Sequence, residues 1–189
     1  MRHLKLIAVA LVVIGLPLVA QTNSWRIGID EPFPNHLTDL PRGRQRSILD
    51  QLKPSFDKWF KDAKPGELEA AEKSLLIREV ATPSGPLLFV QGWEVSLCGA
   101  VGNCVVWELD QRDQVIFSGQ GERMTILQAM SHGRPSILIA YHDSASEADL
   151  SWYRFDGVKY RRTRCATESS GTPWKAYDHP LIENHPCGK

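Results

Sequence analysis

The segment His142–Glu147 places an imidazole, two carboxylates and two hydroxyls at the end of an apolar run that predicts a central strand. His142 could act as a general base, with Asp143 or Glu147 orienting its ring and Ser144 nearby as a nucleophile. Adjacent side chains of a strand point to opposite faces, so His142, Asp143 and Ser144 cannot form a triad in extended geometry. The segment therefore predicts a polar hairpin loop first, and a hydrolase site as the alternative.

A second candidate site is the positively charged hairpin that follows. It could receive an anionic partner, such as a phosphate-bearing or uronic glycan or an acidic protein face. Alternatively, charged residues on an edge strand prevent aggregation between sheets. The cations of this hairpin are Arg154, Lys159, Arg161, Arg162 and Arg164.

Three tryptophans, Trp93, Trp107 and Trp152, are the large aromatic residues of the predicted strands. On an exposed face they could stack on sugar rings or anchor a protein partner, because aromatic rings supply large contact areas. The alternative is core packing. We expect Trp152 and Trp107 to join the hairpin cations in a binding surface.

The C-terminal segment offers two imidazoles and a carboxylate that could bind zinc, in His179, His185 and Glu183. The segment is flanked by prolines and lacks the helical His-x3-His spacing, and the cysteine spacings match no common zinc pattern. We therefore expect neither a metal nor a cofactor.

All four cysteines, Cys98, Cys104, Cys165 and Cys187, follow the N-terminal region. An even count in an exported chain indicates two disulfides. Three pairings are possible, and we favour Cys98–Cys104 with Cys165–Cys187 because each closes a short loop that contains turn residues. Each disulfide is expected to stabilise the fold by roughly 2–4 kcal/mol.

Residues 1–20 have the features of a secretory signal peptide: two basic residues, an apolar run and a small residue, Ala20, before the predicted cleavage site. No later segment is apolar over the length of a membrane span. Cleavage removes Arg2 and Lys5 and no acidic residue, so the net charge changes from 0 to −2. We expect a secreted or periplasmic protein with no general affinity for nucleic acid.

The N-terminal part of the mature chain divides into an irregular arm, residues 21–41, and an amphipathic helix over residues 44–61. The apolar residues of the helix recur every three or four positions. Pro54 lies in its middle and removes a helical hydrogen bond, so we expect a kink or two short helices at that point.

The rest of the chain predicts about eight short antiparallel strands. In Cys104–Leu109, alternation places Val105, Trp107 and Leu109 on one face, and Asp156-Gly157 is a strong hairpin signal. The predicted fold is α+β, with the helix packed on a disulfide-stabilised meander over residues 42–165. Residues 166–189 are expected to be an irregular tail, tied back by Cys187.

Several motifs resemble those of a group of secreted bacterial proteins for which no activity is known. The group shares a Cys-Gly-x-x-Gly-Asn-Cys loop, a His-x-Ser-Ala stretch and a Tyr-x-Phe-Asp-Gly-x-x-Tyr hairpin that ends in cysteine. The resemblance covers roughly residues 85–165 and implies export and a β-rich fold. The matching positions are residues 98–104, Trp107, residues 142–145, residues 153–157, Tyr160 and Cys165.

These patterns favour a non-catalytic binding module whose partner is a protein or glycan of the cell envelope. A small hydrolase that uses His142 with Asp143 or Glu147 is the first alternative, and an inhibitor of a secreted enzyme is the second. The chain contains no nucleophile elbow, zinc-binding helix or phosphate-binding loop, which favours binding over catalysis. The sequence leaves the oligomeric state open.

Overall fold

The computed structural model describes residues 25–28, 33–59, 64–93, 95–100, 102–172 and 175–188; for residues 25–28, 59, 65, 171–172 and 175–180 it describes the backbone alone. The predicted signal peptide lies outside the described residues. Among them, no helix has both the length and the apolar composition that crossing a membrane requires.

Three α-helices and eleven strands follow one another along the described chain. They are β1 (Trp25–Gly28), β2 (Asn35–His36), α1 (Arg42–Trp59), α2 (Pro65–Lys73), β3 (Leu76–Thr82), β4 (Gly85–Gln91), α3 (Val95–Cys98), β5 (Cys104–Leu109), β6 (Val115–Gly121), β7 (Arg123–Ser131), β8 (Arg134–Ser144), β9 (Glu147–Phe155), β10 (Tyr160–Thr172) and β11 (Lys175–His185). A 3-10 turn, Leu37–Asp39, lies between β2 and α1.

The strands form two antiparallel sheets. A five-stranded sheet has the order β2-β3-β4-β5-β6, and a six-stranded sheet has the order β1-β7-β8-β9-β10-β11. The five-stranded sheet packs on the helices with one face and on the six-stranded sheet with the other. We call the two the middle sheet and the outer sheet, and the face of the outer sheet directed away from the middle sheet the far face.

Strand β5 has apolar side chains on both faces, and this is why the middle sheet is covered by the helices on one face and by the outer sheet on the other. Val105, Trp107 and Leu109, which alternation places on one face, contact the apolar stripe of α1. Val106 and Glu108 point to the other face, and Val106 lies in the core between the two sheets. All six residues of β5 are buried, which is typical of a strand with a layer on either side.

Helix α1 presents Ile48, Leu52 and Phe56 to the middle sheet, and all three are buried. The helix is continuous through Pro54, so the structure shows one helix rather than the two short ones that we considered. Pro54 leaves the carbonyl of Asp50 without its helical partner. Asp50 is exposed, where water can satisfy that carbonyl.

The chain passes from the middle sheet to the outer sheet at Gly121, the last residue of β6. A Cβ atom there would lie 2.5 Å from the carbonyl oxygen of Ala140 on β8. The next residue, Glu122, donates its backbone N–H to that oxygen over 2.9 Å. A glycine therefore permits the close approach that brings Glu122 to the outer sheet.

The fold is mostly β. The structure confirms antiparallel strands with the helix packed on them, and it corrects four details of the expected architecture. There are more than the expected eight strands. The expected irregular tail instead forms the end of β10 and strand β11, which pair from Thr172↔Lys175 to Cys165↔His185. The expected irregular arm contains β1 and β2. Finally, the region expected to consist of strands contains the short helix α3, which begins at Val95 after β4 ends at Gln91.

Both predicted disulfides, Cys98–Cys104 and Cys165–Cys187, are present. They are consistent with an oxidising compartment. The predicted Asp156-Gly157 hairpin joins β9 to β10, but its loop has four residues between Phe155 and Tyr160 rather than two. The carboxylate of Asp156 accepts the backbone N–H groups of Val158 and Lys159, so the side chain closes the turn.

Candidate functional site

The far face of the outer sheet gathers side chains from five neighbouring strands. Strand register sets Leu138 beside Trp152 and Arg164, and Ala140 beside Leu150 and Ala166. The small residues Ala140, Ala148 and Ala166 are buried together with Leu150. This apolar floor crosses the centre of the sheet, with charged side chains at both ends.

Trp152 packs against this apolar floor at the end of the far face that is near the β9–β10 hairpin. The guanidinium carbon of Arg164 lies 4.5 Å from the centre of its ring, and the Nε of Arg164 donates to Asn184 Oδ1 over 2.7 Å. A cavity of about 270 Å³ lies beside the indole, and it is bordered by Leu150, Arg123 and Glu168 among others. The surface combines an aromatic ring with charged hydrogen-bonding groups.

The predicted hairpin cations have different local partners. Arg161 pairs with Asp156 over 2.7 Å, and Arg154 donates to Ser131 Oγ over 3.1 Å. Arg162 donates to the carbonyl of Gly188, and Lys159 is exposed in the turn. The Arg161 guanidinium, helped by the two turn N–H groups, holds the pKa of Asp156 well below its usual range. The hairpin from Arg154 to Arg164 carries five cations and this single carboxylate.

Trp107 does not join this surface. Its side chain is fully buried beneath α1, where its ring stacks on Phe56 with centres 5.9 Å apart. Its indole N–H donates to Ser55 Oγ over 3.3 Å. Trp107 is therefore a core residue, and only Trp152 of the predicted pair presents its ring beside a cavity.

His142 lies at the other end of the far face, on β8. Its Nδ1 is 2.8 Å from Glu122 Oε2, so the carboxylate that orients the ring comes from the crossing between the sheets. The predicted partners were Asp143 and Glu147; the hydrogen bonds of the described residues join neither to the imidazole. Asp143 is exposed, and Glu147 lies across the β8–β9 turn.

The backbone of His142 is fixed by Asn103, a fully buried residue of the disulfide loop. Asn103 Nδ2 donates to the carbonyl of His142 over 2.9 Å, and the N–H of His142 donates to Asn103 Oδ1 over 2.8 Å. The pairing of β7 with β8 extends only to Arg123↔Ala140. The amide of Asn103 thus takes the place of the missing strand and satisfies both backbone groups of His142.

Two cavities meet at His142. One, of about 320 Å³, is bordered by Glu122, Glu147, Glu168 and Arg123, together with three serines. Arg123 pairs with Glu168 and lies 3.5 Å from Glu122. With three carboxylates and one guanidinium, this acidic cavity carries a surplus of negative charge.

The second cavity is an apolar cleft of about 550 Å³ beside the disulfide loop. It is bordered by Trp93, Val95, Ala100 and the small residues of the loop, with His142 at the junction with the acidic cavity. Trp93 and Val95 are exposed, with Val95 at 74%. The sequence gives no signal for either cavity, because each combines segments that are far apart along the chain.

A buried ionisable cluster lies between the two sheets. Glu108 is fully buried, with its Oε1 accepting from the Tyr160 hydroxyl over 3.2 Å and lying 3.5 Å from Arg134. Burial raises the pKa of Glu108 to about 7, although Tyr160 and Arg134 oppose the shift. Burial also raises the pKa of Tyr160 above its usual range. Because the carboxyl group is fully buried, this cluster is a structural element of the core.

No group of three or more histidine, cysteine or acidic side chains in the described part of the chain could hold a metal ion. Of the residues considered for zinc, Glu183 and His185 are exposed on β11. The side chain of His179 lies outside the described residues.

No protein-family model matches the chain, and neither the curated proteins nor the solved structures contain a match.

Proposed function

We propose that this protein is a secreted or periplasmic, non-catalytic binding module that holds a glycan of the cell envelope on the far face of the outer sheet. The observation that carries the proposal is the placement of Trp152 beside a cavity of about 270 Å³ with an apolar floor and charged borders. A pyranose ring has one apolar C–H face and a rim of hydroxyls, which is the chemistry that such a surface fits.

The arrangement around Trp152 supports stacking. Arg164 lies over the ring and holds the indole in place, which reduces the side-chain entropy lost when a ligand binds. Leu138 and Leu150 border the same cavity and supply further apolar contact. Arg123 and Glu168 also border this cavity, where the guanidinium can donate hydrogen bonds to sugar hydroxyls and the carboxylate can accept them.

The charge of the hairpin favours an acidic glycan. Five cations and one carboxylate between Arg154 and Arg164 produce a positive field at one end of the far face. Arg154 and Arg161 are directly opposite each other in the β9–β10 register, and both are exposed. A uronic or phosphate-bearing glycan would bring its anions to this end while a sugar ring rests on Trp152.

The test is calorimetric titration of the full chain with oligomers of polygalacturonate, an acidic glycan, and with neutral malto-oligosaccharides. We expect binding of the acidic oligomers, and an affinity about tenfold or more lower in Trp152→Ala. Trp93→Ala is the matched control, because it removes an exposed indole outside the far face and should bind as the wild type does.

A second experiment tests the class of ligand. Immobilised wild-type chain, Trp152→Ala and Arg161→Ala/Arg162→Ala are exposed to envelope extract. Glycan captured by the wild type and lost from Trp152→Ala supports the proposal. Capture of a protein alone, together with the absence of glycan binding in the titration, would contradict it.

One observation favours a hydrolase as a second candidate. The 2.8 Å contact between Glu122 and His142 Nδ1 leaves Nε2 as the ring nitrogen available to a substrate or water, which is the arrangement of a general base. A panel of ester, amide and glycoside substrates tests it. Turnover that disappears in His142→Ala and falls in Glu122→Gln, but is retained in Asp143→Asn, would show that the protein is a hydrolase rather than a non-catalytic binding module.

A further inference from the structure

The cleft beside the disulfide loop is a second surface that the proposed glycan site does not use. Two of the large apolar residues that the described chain exposes, Trp93 and Val95, border the same cleft. Its volume of about 550 Å³ lies in the range of ligand-binding pockets, roughly 300–1,000 Å³. A single exposed apolar residue is ordinary, but two on one concave surface indicate a place of contact.

A disulfide constrains the loop that borders the cleft. The Cys98–Cys104 disulfide closes the loop, and Gly99 and Gly102 adopt positive φ angles of 67° and 77°. Below it, Leu97 is buried against Gly92, where a Cβ atom would lie 2.4 Å from the Cβ of Leu97. A preformed cleft binds with less ordering cost than a surface that must first rearrange.

His142 connects the cleft to the acidic cavity. Its ring borders both, and the contact of Nδ1 with Glu122 leaves Nε2 as the nitrogen that a ligand can reach. Asn103 fixes the backbone of His142 and belongs to the same disulfide loop. The position of the imidazole is therefore set by the element that forms the cleft.

The acidic cavity selects the charge of the occupant. Glu122, Glu147 and Glu168 border it with Arg123 as the single guanidinium, and Arg123 is already paired with Glu168. Glu147 is exposed at the rim. A cation entering this cavity meets a surplus of carboxylates, whereas an anion would be repelled.

We propose that the cleft and the acidic cavity together bind a segment of a partner protein that carries an apolar side chain next to a lysine or arginine. The apolar side chain enters the cleft between Trp93 and Val95. The basic side chain enters the acidic cavity, and His142 Nε2 forms a hydrogen bond with the segment between them. This site shares Arg123 and Glu168 with the border of the glycan cavity, but Trp93, Val95, Glu147 and His142 do not border that cavity.

The test is selection from a phage-displayed library of random peptides against the full chain, produced in an oxidising compartment so that both disulfides form. We expect the enriched peptides to share an apolar residue within a few positions of a lysine or arginine. A synthetic copy of the most enriched peptide is then titrated against variants of the chain.

Val95→Asp and Glu147→Lys are the informative variants, because both residues are exposed and their replacement spares the core. Each should weaken the peptide by about tenfold or more. Val158→Asp, which places the same charge on the hairpin turn, and Asp143→Lys, which reverses a charge outside the acidic cavity, are the matched controls and should leave affinity unchanged.

Three results would overturn the proposal: a selection that enriches nothing, a selection that enriches acidic peptides, and a peptide whose affinity is unaffected by Val95→Asp and Glu147→Lys. A peptide that loses affinity in Trp152→Ala, but not in Val95→Asp or Glu147→Lys, would place the contact at the glycan cavity and would also overturn the proposal. Because the glycan titration uses Trp152→Ala and this test uses Val95→Asp, the two proposals can fail separately.

Discussion

Trp107 and Trp152 lie on central strands of the two sheets but in opposite surroundings. Trp107, on β5, has the helices above it and is fully buried. Trp152, on β9, borders a cavity on the far face, where the described chain adds no further layer. The side chains of a sheet that is covered on both faces pack in the core, whereas a sheet with one uncovered face presents side chains that a ligand can contact. The difference assigns stability to the middle sheet and recognition to the outer sheet.

The largest expected effect is the loss of Trp107. Trp107→Ala removes a buried indole and its stacking on Phe56, which should lower the free energy of unfolding by about 3–5 kcal/mol. Urea unfolding followed by circular dichroism measures the change. A loss below about 1 kcal/mol would contradict the assignment of the two sheets.

A smaller effect, dependent on pH, is expected at Glu108. Its pKa is about 7 in the fold, above the value of 4.5 of a free side chain, so the folded chain keeps its proton while the unfolded chain releases it. Stability is therefore fully present below about pH 4.5 and declines as the pH rises to about 7, by up to about 3 kcal/mol.

Glu108→Gln should remove that decline, because an amide keeps the shape and the acceptor for Tyr160 but does not ionise. Unfolding measured from about pH 4.5 to pH 8 compares it with the wild type. Glu147→Gln changes an exposed carboxylate and serves as the control. An identical decline in Glu108→Gln and in the wild type would show that another group titrates.

Asn103→Ala tests the connection between the disulfide loop and the outer sheet. It leaves the N–H and carbonyl of His142 without their partners, which should cost about 1–3 kcal/mol. Chemical denaturation measures this cost, and Asn184→Ala, an exposed residue on β11, is the control. A variant as stable as the wild type would mean that the loop does not support His142.

The smallest expected effect is that of Arg164→Ala. Its guanidinium lies over Trp152 at an exposed site, where such a contact contributes about 0.5–1 kcal/mol. Its stability should therefore be almost that of the wild type, while its affinity for acidic glycan falls. Thermal unfolding and titration of the same sample separate the two. Equal affinity of the wild type and Arg164→Ala for the acidic glycan would show that Arg164 does not contribute to the glycan site.

The parts of the fold that could be predicted from sequence are those set by neighbours in the chain. Alternation in β5 predicts which side chains share a face, and short loops favour the disulfide pairing that the structure shows. The tail was predicted as irregular because Pro180, Pro186 and polar residues obscure the pattern of β11. Pairing with β10 over a long register overrides that local preference.

Only some residues of the candidate site could be predicted from sequence, because the others reach it through contacts between distant segments. The sequence identifies His142 as a candidate general base and Trp152 as a candidate binding residue. The roles of Glu122 and Asn103 were not predicted, because they reach His142 through the crossing at Gly121 and through the disulfide loop. Contacts between residues 20 and 39 positions apart leave no periodic signal in the sequence.

The sequence by itself indicated the strands between residues 76 and 165, the helix stripe, the favoured disulfide pairing and the charge of the last hairpin. These features depend on side-chain period, loop length and composition, which act over a few residues. The tertiary structure alone decided that Trp107 is core and Trp152 borders a cavity, that Glu108 is buried with a pKa near neutrality, and that His142 lies between two cavities. The physical reason is that burial depends on which layers stack, and stacking is fixed by contacts between distant segments.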